Sequence, residues 1–246
     1  MGDYGILSYF DSILQSPAVE IKSLYISLVP IIMGTREMKY LSFKKKLQGY
    51  PYFTTAIFGA LAGSEKTLYN QVNKWVKEGK VVRLRKGLFT LNDDERRVGI
   101  SKKLIANILY SPSYISLEYA LSHYGMIPEA VYAVTSLSTK KTQKFSNRFG
   151  EFLYRNIKRD AFFGFEALKD EFGFDCLIAS PEKALMDYLY LNVEAASEFD
   201  ESFIEESLRL QNIERLDFRK MTKFAEKMKS KKLLKFVRTL KGWVKK

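Results

Sequence analysis

The run Ser64–Leu91, SEKTLYNQVNKWVKEGKVVRLRKGLFTL, constrains the chain more than any other stretch. At about 100° per residue, Leu68, Val72, Trp75 and Val76 fall on one side of a helix over about residues 65–78. Lys66, Thr67, Asn70, Asn73, Lys74 and Lys77 fall on the other. One side must pack and the other is free to touch something. Ser64 supplies an N-cap, because its hydroxyl can accept a hydrogen bond from an N–H that the first turn leaves unpaired. Gly79 ends the helix as a residue able to take a left-handed conformation. The segments VVRL and GLFTL then read as two strands closed around Arg85-Lys86-Gly87.

Upstream, the spacing predicts a helix from Arg36 to Leu47, ending at Gly49 before Pro51. A short helix over about 54–61 and a tight break at Ala62-Gly63-Ser64 follow. Three helices, the last two joined by a tight turn, followed by a basic hairpin, make the order of a winged helix-turn-helix. Such a helix fits the major groove, where asparagine can bond adenine edges and lysine can reach guanine acceptors or phosphates. Arg83, Arg85 and Lys86 on the hairpin would lie along the DNA backbone and fix register without reading sequence. A merely solvated helix face is the competing account. The tight turn, the amide-bearing face and the basic hairpin together favour DNA.

Charge supports a polyanionic partner by its placement. The net charge of +12 divides into −2 over residues 1–38, +9 over 39–91, −5 over 92–216 and +10 beyond. The lone Cys176 leaves no internal disulfide and no paired-cysteine zinc or redox motif, and the lone His123 leaves no histidine cluster. No metal or cofactor is expected. With no basic residue before Lys22 and no unbroken apolar run of membrane-spanning length, the reading is a cytoplasmic protein with no membrane partner.

Other motifs are weighed against plainer accounts. Tyr114, Leu117, Ala120, Leu121 and Tyr124 recur at helical spacing before Gly125 and predict a core helix, with His123 near its end, where exposed carbonyls mildly favour a cation. AVYAVTSLS and GEFLYRNIK predict two strands joined by an exposed loop, TKKTQKFSNRF, carrying Lys140, Lys141, Lys144 and Arg148. Ser180, Pro181 and Glu182 mark a helix start. Asp175, Glu182 and Lys183 invite comparison with metal-dependent nucleases, but the adjacent Glu182 and Lys183 lack the one-residue spacing that turns both side chains inward from a strand. Gly59–Thr67 fails the phosphate-loop spacing. The tail from Asp217 places Phe218, Met221, Ala225, Met228, Leu233, Val237, Leu240 and Val244 at helical spacing among lysines, which suits packing first, then nucleic acid, a partner groove or a membrane surface.

From Met38 to about Leu191 the chain resembles the AbiEi family of antitoxins, the transcription-factor-like halves of bacterial abortive-infection toxin–antitoxin pairs. The resemblance rests on KWVKEGKVVRLRKGLFTL, SPSYISLEYALSHYGMIPEAVYAVTS and IASPEKALMDYLYL, in that order and spacing. It implies an N-terminal DNA-binding domain that represses its own operon. It also implies a larger C-terminal domain that counters a nucleotidyltransferase-like toxin without a stable complex.

The reading is therefore an α+β protein without enzymatic activity. Residues 1–37 form an extension whose role the sequence leaves open, 38–95 a winged helix-turn-helix, and 96–246 an α+β domain with a basic helical tail. The DNA-binding candidates are Lys66, Thr67, Asn70, Asn73, Lys74, Lys77, Arg83, Arg85 and Lys86. Double-stranded operator DNA is the expected partner, and the oligomeric state is open, a dimer on DNA being one arrangement. The alternatives are an RNA- or protein-binding adaptor and, further off, a metal-dependent nuclease.

Overall fold

A computed structural model describes residues 38–62, 64–193, 203 and 208–244. The extension before Met38, Gly63 of the expected turn and the last two lysines lie outside the described residues. The described residues are mixed α and β, with two sheets among them, and the chain parts into two compact units between Gly99 and Ile100. The break lies beyond the expected Glu95 because the following residues are tied back to the first unit. Lys44 pairs with Glu95 at 2.5 Å, Arg96 reaches Thr90 Oγ1 at 3.2 Å, and the Arg97 N–H donates to Gln48 O at 2.8 Å.

The first unit is built on aromatic packing. Its order is α1 (Tyr40–Leu47), β1 (Phe53–Thr54), a 3-10 turn (Thr55–Ile57), α2 (Phe58–Leu61), α3 (Glu65–Lys77), β2 (Val81–Arg85) and β3 (Leu88–Leu91). The strands pair antiparallel in the order β1-β3-β2. Phe43 of α1 sits 5.3 Å from Phe53 and 4.7 Å from Trp75, ring to ring, and Phe53 stacks on Phe89 at 5.7 Å. Two expectations need correction. Thr54 belongs to a strand rather than a helix, since it pairs with Leu88 while the next N–H, of Thr55, donates to Gly87 O at 3.1 Å. The first helix begins at Tyr40, after Met38, whose backbone N–H and C=O are both held by the Gln71 side chain at 3.2 and 3.0 Å.

In the second unit the order is α4 (Lys102–Leu109), β4 (Tyr114–Ile115), α5 (Leu117–His123), β5 (Val134–Ser138), β6 (Gln143–Asn147), β7 (Gly150–Asn156), β8 (Phe165–Lys169), β9 (Asp175–Ala179), α6 (Pro181–Asn192), α7 (Phe218–Lys227) and α8 (Lys231–Trp243). The sheet runs β6-β7-β5-β4-β9-β8, with β5 parallel to β7 and β4 parallel to β9. Tyr114 lies in β4 and not in the helix predicted for it, because the strand pairs with both β5 and β9. Leu117, buried and at φ 58°, makes the sharp passage from that strand into α5. The segment expected as a loop contains β6, whose polar composition hides a strand paired along β7. In the tail, Met221, Ala225, Leu233, Phe236, Val237 and Leu240 are buried, so α7 and α8 cover the unit with their apolar sides.

α6 is buried almost all round and carries a charged pair inside the unit. Ser180 caps it, accepting from the Lys183 N–H at 3.4 Å, with Pro181 in its first turn. Lys183 Nζ pairs with Asp187 one turn on, and neither side chain is exposed to solvent. Asp187 also accepts from the Tyr114 hydroxyl at 3.0 Å and the Ser116 hydroxyl at 2.9 Å. Lys183 donates to the Tyr114 oxygen at 3.0 Å and stands 5.0 Å from the Phe163 ring centre. Burial pushes the Lys183 pKa down and the Asp187 pKa up, and the attraction between the two opposes both shifts. Removing one partner strands the other charge, which costs about 3–5 kcal/mol. Lys183→Met should lower the unfolding free energy by about that amount, and adding Asp187→Asn should recover part of it. Urea unfolding of the full chain measures both, and a loss below about 1 kcal/mol for Lys183→Met would show that the pair is dispensable.

Candidate nucleic-acid interface

Local chemistry sets both ends of α3. Ser64 Oγ accepts from the Thr67 N–H at 3.3 Å and from the Thr67 hydroxyl at 3.0 Å. At the other end Gly79 takes φ 74°, its N–H reaches Val76 O at 3.1 Å, and the Lys80 N–H reaches Trp75 O at 3.0 Å. That pair of bonds satisfies carbonyls a helix end leaves open, and it needs the left-handed residue between them. Leu68 and Val72 are wholly buried, Trp75 is 6% exposed, and Val76 is half-buried. The stripe read from the spacing is therefore the packed one.

On the opposite flank Lys66, Thr67, Asn70, Lys74 and Lys77 are exposed, and Asn73 is half-buried. The hairpin turns at Gly87, with φ 76°, and pairing shifts register between Arg83 and Arg85. Leu84 is buried at the shift, while Arg83, Arg85 and Lys86 are exposed. Helix and hairpin meet at one bond: Arg83 Nη2 donates to Asn73 Oδ1 at 2.6 Å. The Arg83 guanidinium also lies 5.8 Å from the centre of the Phe89 ring, its partner across the strand pair. Arg85 Nη1 donates to the carbonyl of Lys86 at the turn, 3.2 Å away.

The surface gains two residues that charge and periodicity do not mark. Tyr69 and Thr55 line a shallow depression with Phe58, Glu65 and Lys66, beside the start of α3. Gln71, by contrast, turns its amide inward to Met38. Its position between the two faces is the only sequence signal for that role. Of the acidic residues on the helix-hairpin segment, Glu78 pairs with Lys80 at 2.7 Å, and the hydrogen bond from Lys80 holds its carboxyl below the usual range. Lys45 and Lys46 of α1 add exposed positive charge to the same unit.

The other candidates are engaged within the second unit. Lys144 pairs with Glu151 at 2.7 Å and Lys140 donates to Ser111 O. Asp175 pairs with Lys169 at 2.8 Å, and Glu182 with Lys220 at 3.0 Å and the Ser180 hydroxyl at 2.8 Å. Asp175, Glu182 and Lys183 thus pair with separate partners, Lys169, Lys220 and Asp187. His123 lies at the end of α5, where partial burial and the charge of Lys103 hold its pKa below the ordinary value. Exposed Lys223, Lys227, Lys231, Lys235, Arg238 and Lys241 decorate α7 and α8 opposite their packed faces. Among the described residues no group of three or more His, Cys, Asp or Glu could hold a metal ion, and no helix is long and apolar enough to cross a membrane.

Cys176 is buried in β9, and burial, followed by the charge of Asp170, pushes its thiol up to about 12. Since the thiolate is the reactive form, the folded protein should resist a thiol reagent at pH 8 and react fully once unfolded in guanidinium. Rapid labelling of the folded chain, read by mass spectrometry, would contradict this burial. No protein-family model matches the chain, and no curated protein matches it.

Proposed function

We propose that residues 38–99 form a winged helix-turn-helix that binds double-stranded DNA, and that the protein is a non-enzymatic transcriptional repressor of antitoxin type. The observation that carries the first part is the exposed flank of α3, which bears amide and ammonium groups on a helix anchored by its other face, bonded to a basic hairpin. Lys66, Asn70, Asn73, Lys74 and Lys77 would enter the major groove, with Thr67 at its mouth through a hydroxyl shared with the cap. Arg85 and Lys86 would hold phosphates. Positive charge concentrated on this segment adds the sequence-independent attraction such binding needs.

The antitoxin part rests on the resemblance to AbiEi proteins. In that reading the first unit represses the protein's own operon, and the second counters a nucleotidyltransferase-like toxin. A toxin gene beside this one would support it.

Gel shift against the DNA upstream of its own gene, with random duplex and single-stranded RNA as competitors, tests the proposal. Preference for the upstream duplex is expected. Indifference between the three would favour an RNA- or protein-binding adaptor, and cleavage of the probe with Mg²⁺ would favour a nuclease. With about four to six phosphates neutralised per protomer, log affinity should fall against log salt with a slope of about −3.6 to −5.4. Asn73→Ala should relax base preference at one position, whereas Lys86→Ala should weaken all duplexes alike and flatten the slope by about one.

A further inference from the structure

We infer that Arg83 is a positioning residue that orients the Asn73 amide, and that it thereby directs Asn73 toward guanine. The inference rests on the reading of α3 as a groove helix. A guanidinium carries N–H donors and no acceptor, so an amide can meet it only through its oxygen. The 2.6 Å bond from Arg83 Nη2 to Asn73 Oδ1 therefore selects one of the two orientations an asparagine amide can adopt.

Arg83 is suited to this because it is held twice. Its guanidinium lies against the Phe89 ring at 5.8 Å while it donates to Asn73. The pairing shifts register between Arg83, opposite Phe89, and Arg85, opposite Leu88 beside the turn, and Leu84 is buried between them. An arginine committed to its own fold on both counts is poorly placed to follow a phosphate. This divides the basic hairpin by role: Arg85 and Lys86 hold the DNA backbone, and Arg83 sets the reader.

The orientation has a consequence for the base. An asparagine free to turn matches adenine, whose major-groove edge puts the N6 donor beside the N7 acceptor. The guanidinium takes one lone pair of Oδ1 and sets a positive charge beside the other, which disfavours a second donor such as the adenine N6 hydrogens there, while the Nδ2 group keeps both of its hydrogens for a base edge. Guanine offers two acceptors there, N7 and O6, whereas adenine would set its N6 hydrogens against those of the amide.

Selection of bound duplexes from a randomised pool by the full chain reads this directly. The position read by Asn73 is the one at which Asn73→Ala loses its preference, and guanine should be favoured there in the wild type by about 5- to 150-fold, the range of a well-made base contact. Arg83→Ala should collapse that preference or shift it toward adenine, leaving the other positions intact. Asn73→Asp keeps a partner for Arg83 but removes both donors, so it should lose guanine while melting at the wild-type temperature. Adenine favoured by the wild type, or an Arg83→Ala profile that is unchanged with all duplexes weakened alike and a flatter salt slope, overturns the inference alone. A wild type with no base preference overturns the groove reading and this inference with it.

Discussion

The first unit depends on the seating of α3 in an aromatic core. Leu68, Val72 and Trp75 are pressed against Phe43, Phe53, Phe58 and Phe89 and lose nearly all contact with water. Each such side chain stabilises the fold by about 1.5–3 kcal/mol, so rotating the helix to hide its polar flank would forfeit several of these terms at once. The flank therefore faces outward by necessity. Gln71 reinforces the seating at the boundary between the two faces, gripping the backbone of Met38 and so tying the residues just before α1 onto α3.

The same seating brings the hairpin to the helix. Gly79 ends α3 in a reversal that sends the chain directly into β2, and β2 pairs with β3, whose Phe89 lies in the core. Arg83 then has only one side on which to emerge, and Asn73 is there. The exposed flank of α3 and the hairpin are consequently one bonded surface rather than two independent basic features, which is why their substitutions should not behave as a sum of separate contacts.

The second unit is organised differently. Its central helix α6 is polar where it is most buried, and the Lys183–Asp187 pair draws in Tyr114 and Ser116 from the neighbouring strand and its end. An apolar pair of like volume could be as stable, so the charges do more to specify which strand meets the helix than to add stability. They fasten β4 to α6, while α7 and α8 close over the outside with lysines left in water.

Signals confined to a few neighbouring residues determined much of this protein from the sequence alone. Ser64 and Ser180 cap helices, Gly79 and Gly87 take left-handed turns, and the stripe of Leu68, Val72 and Trp75 is buried, because each follows from backbone geometry and spacing within one or two turns. Only the tertiary structure decided where partners come from afar. β1 and β6 look like helix and loop until β3 and β7 supply their hydrogen bonds, and Tyr114 leaves its helical pattern because it pairs with Leu137 of β5 while the next residue, Ile115, pairs with β9. The Arg83–Asn73 bond and the burial of Lys183 were equally illegible, since a side chain's charge is visible in a sequence while the group that neutralises or orients it is chosen by packing.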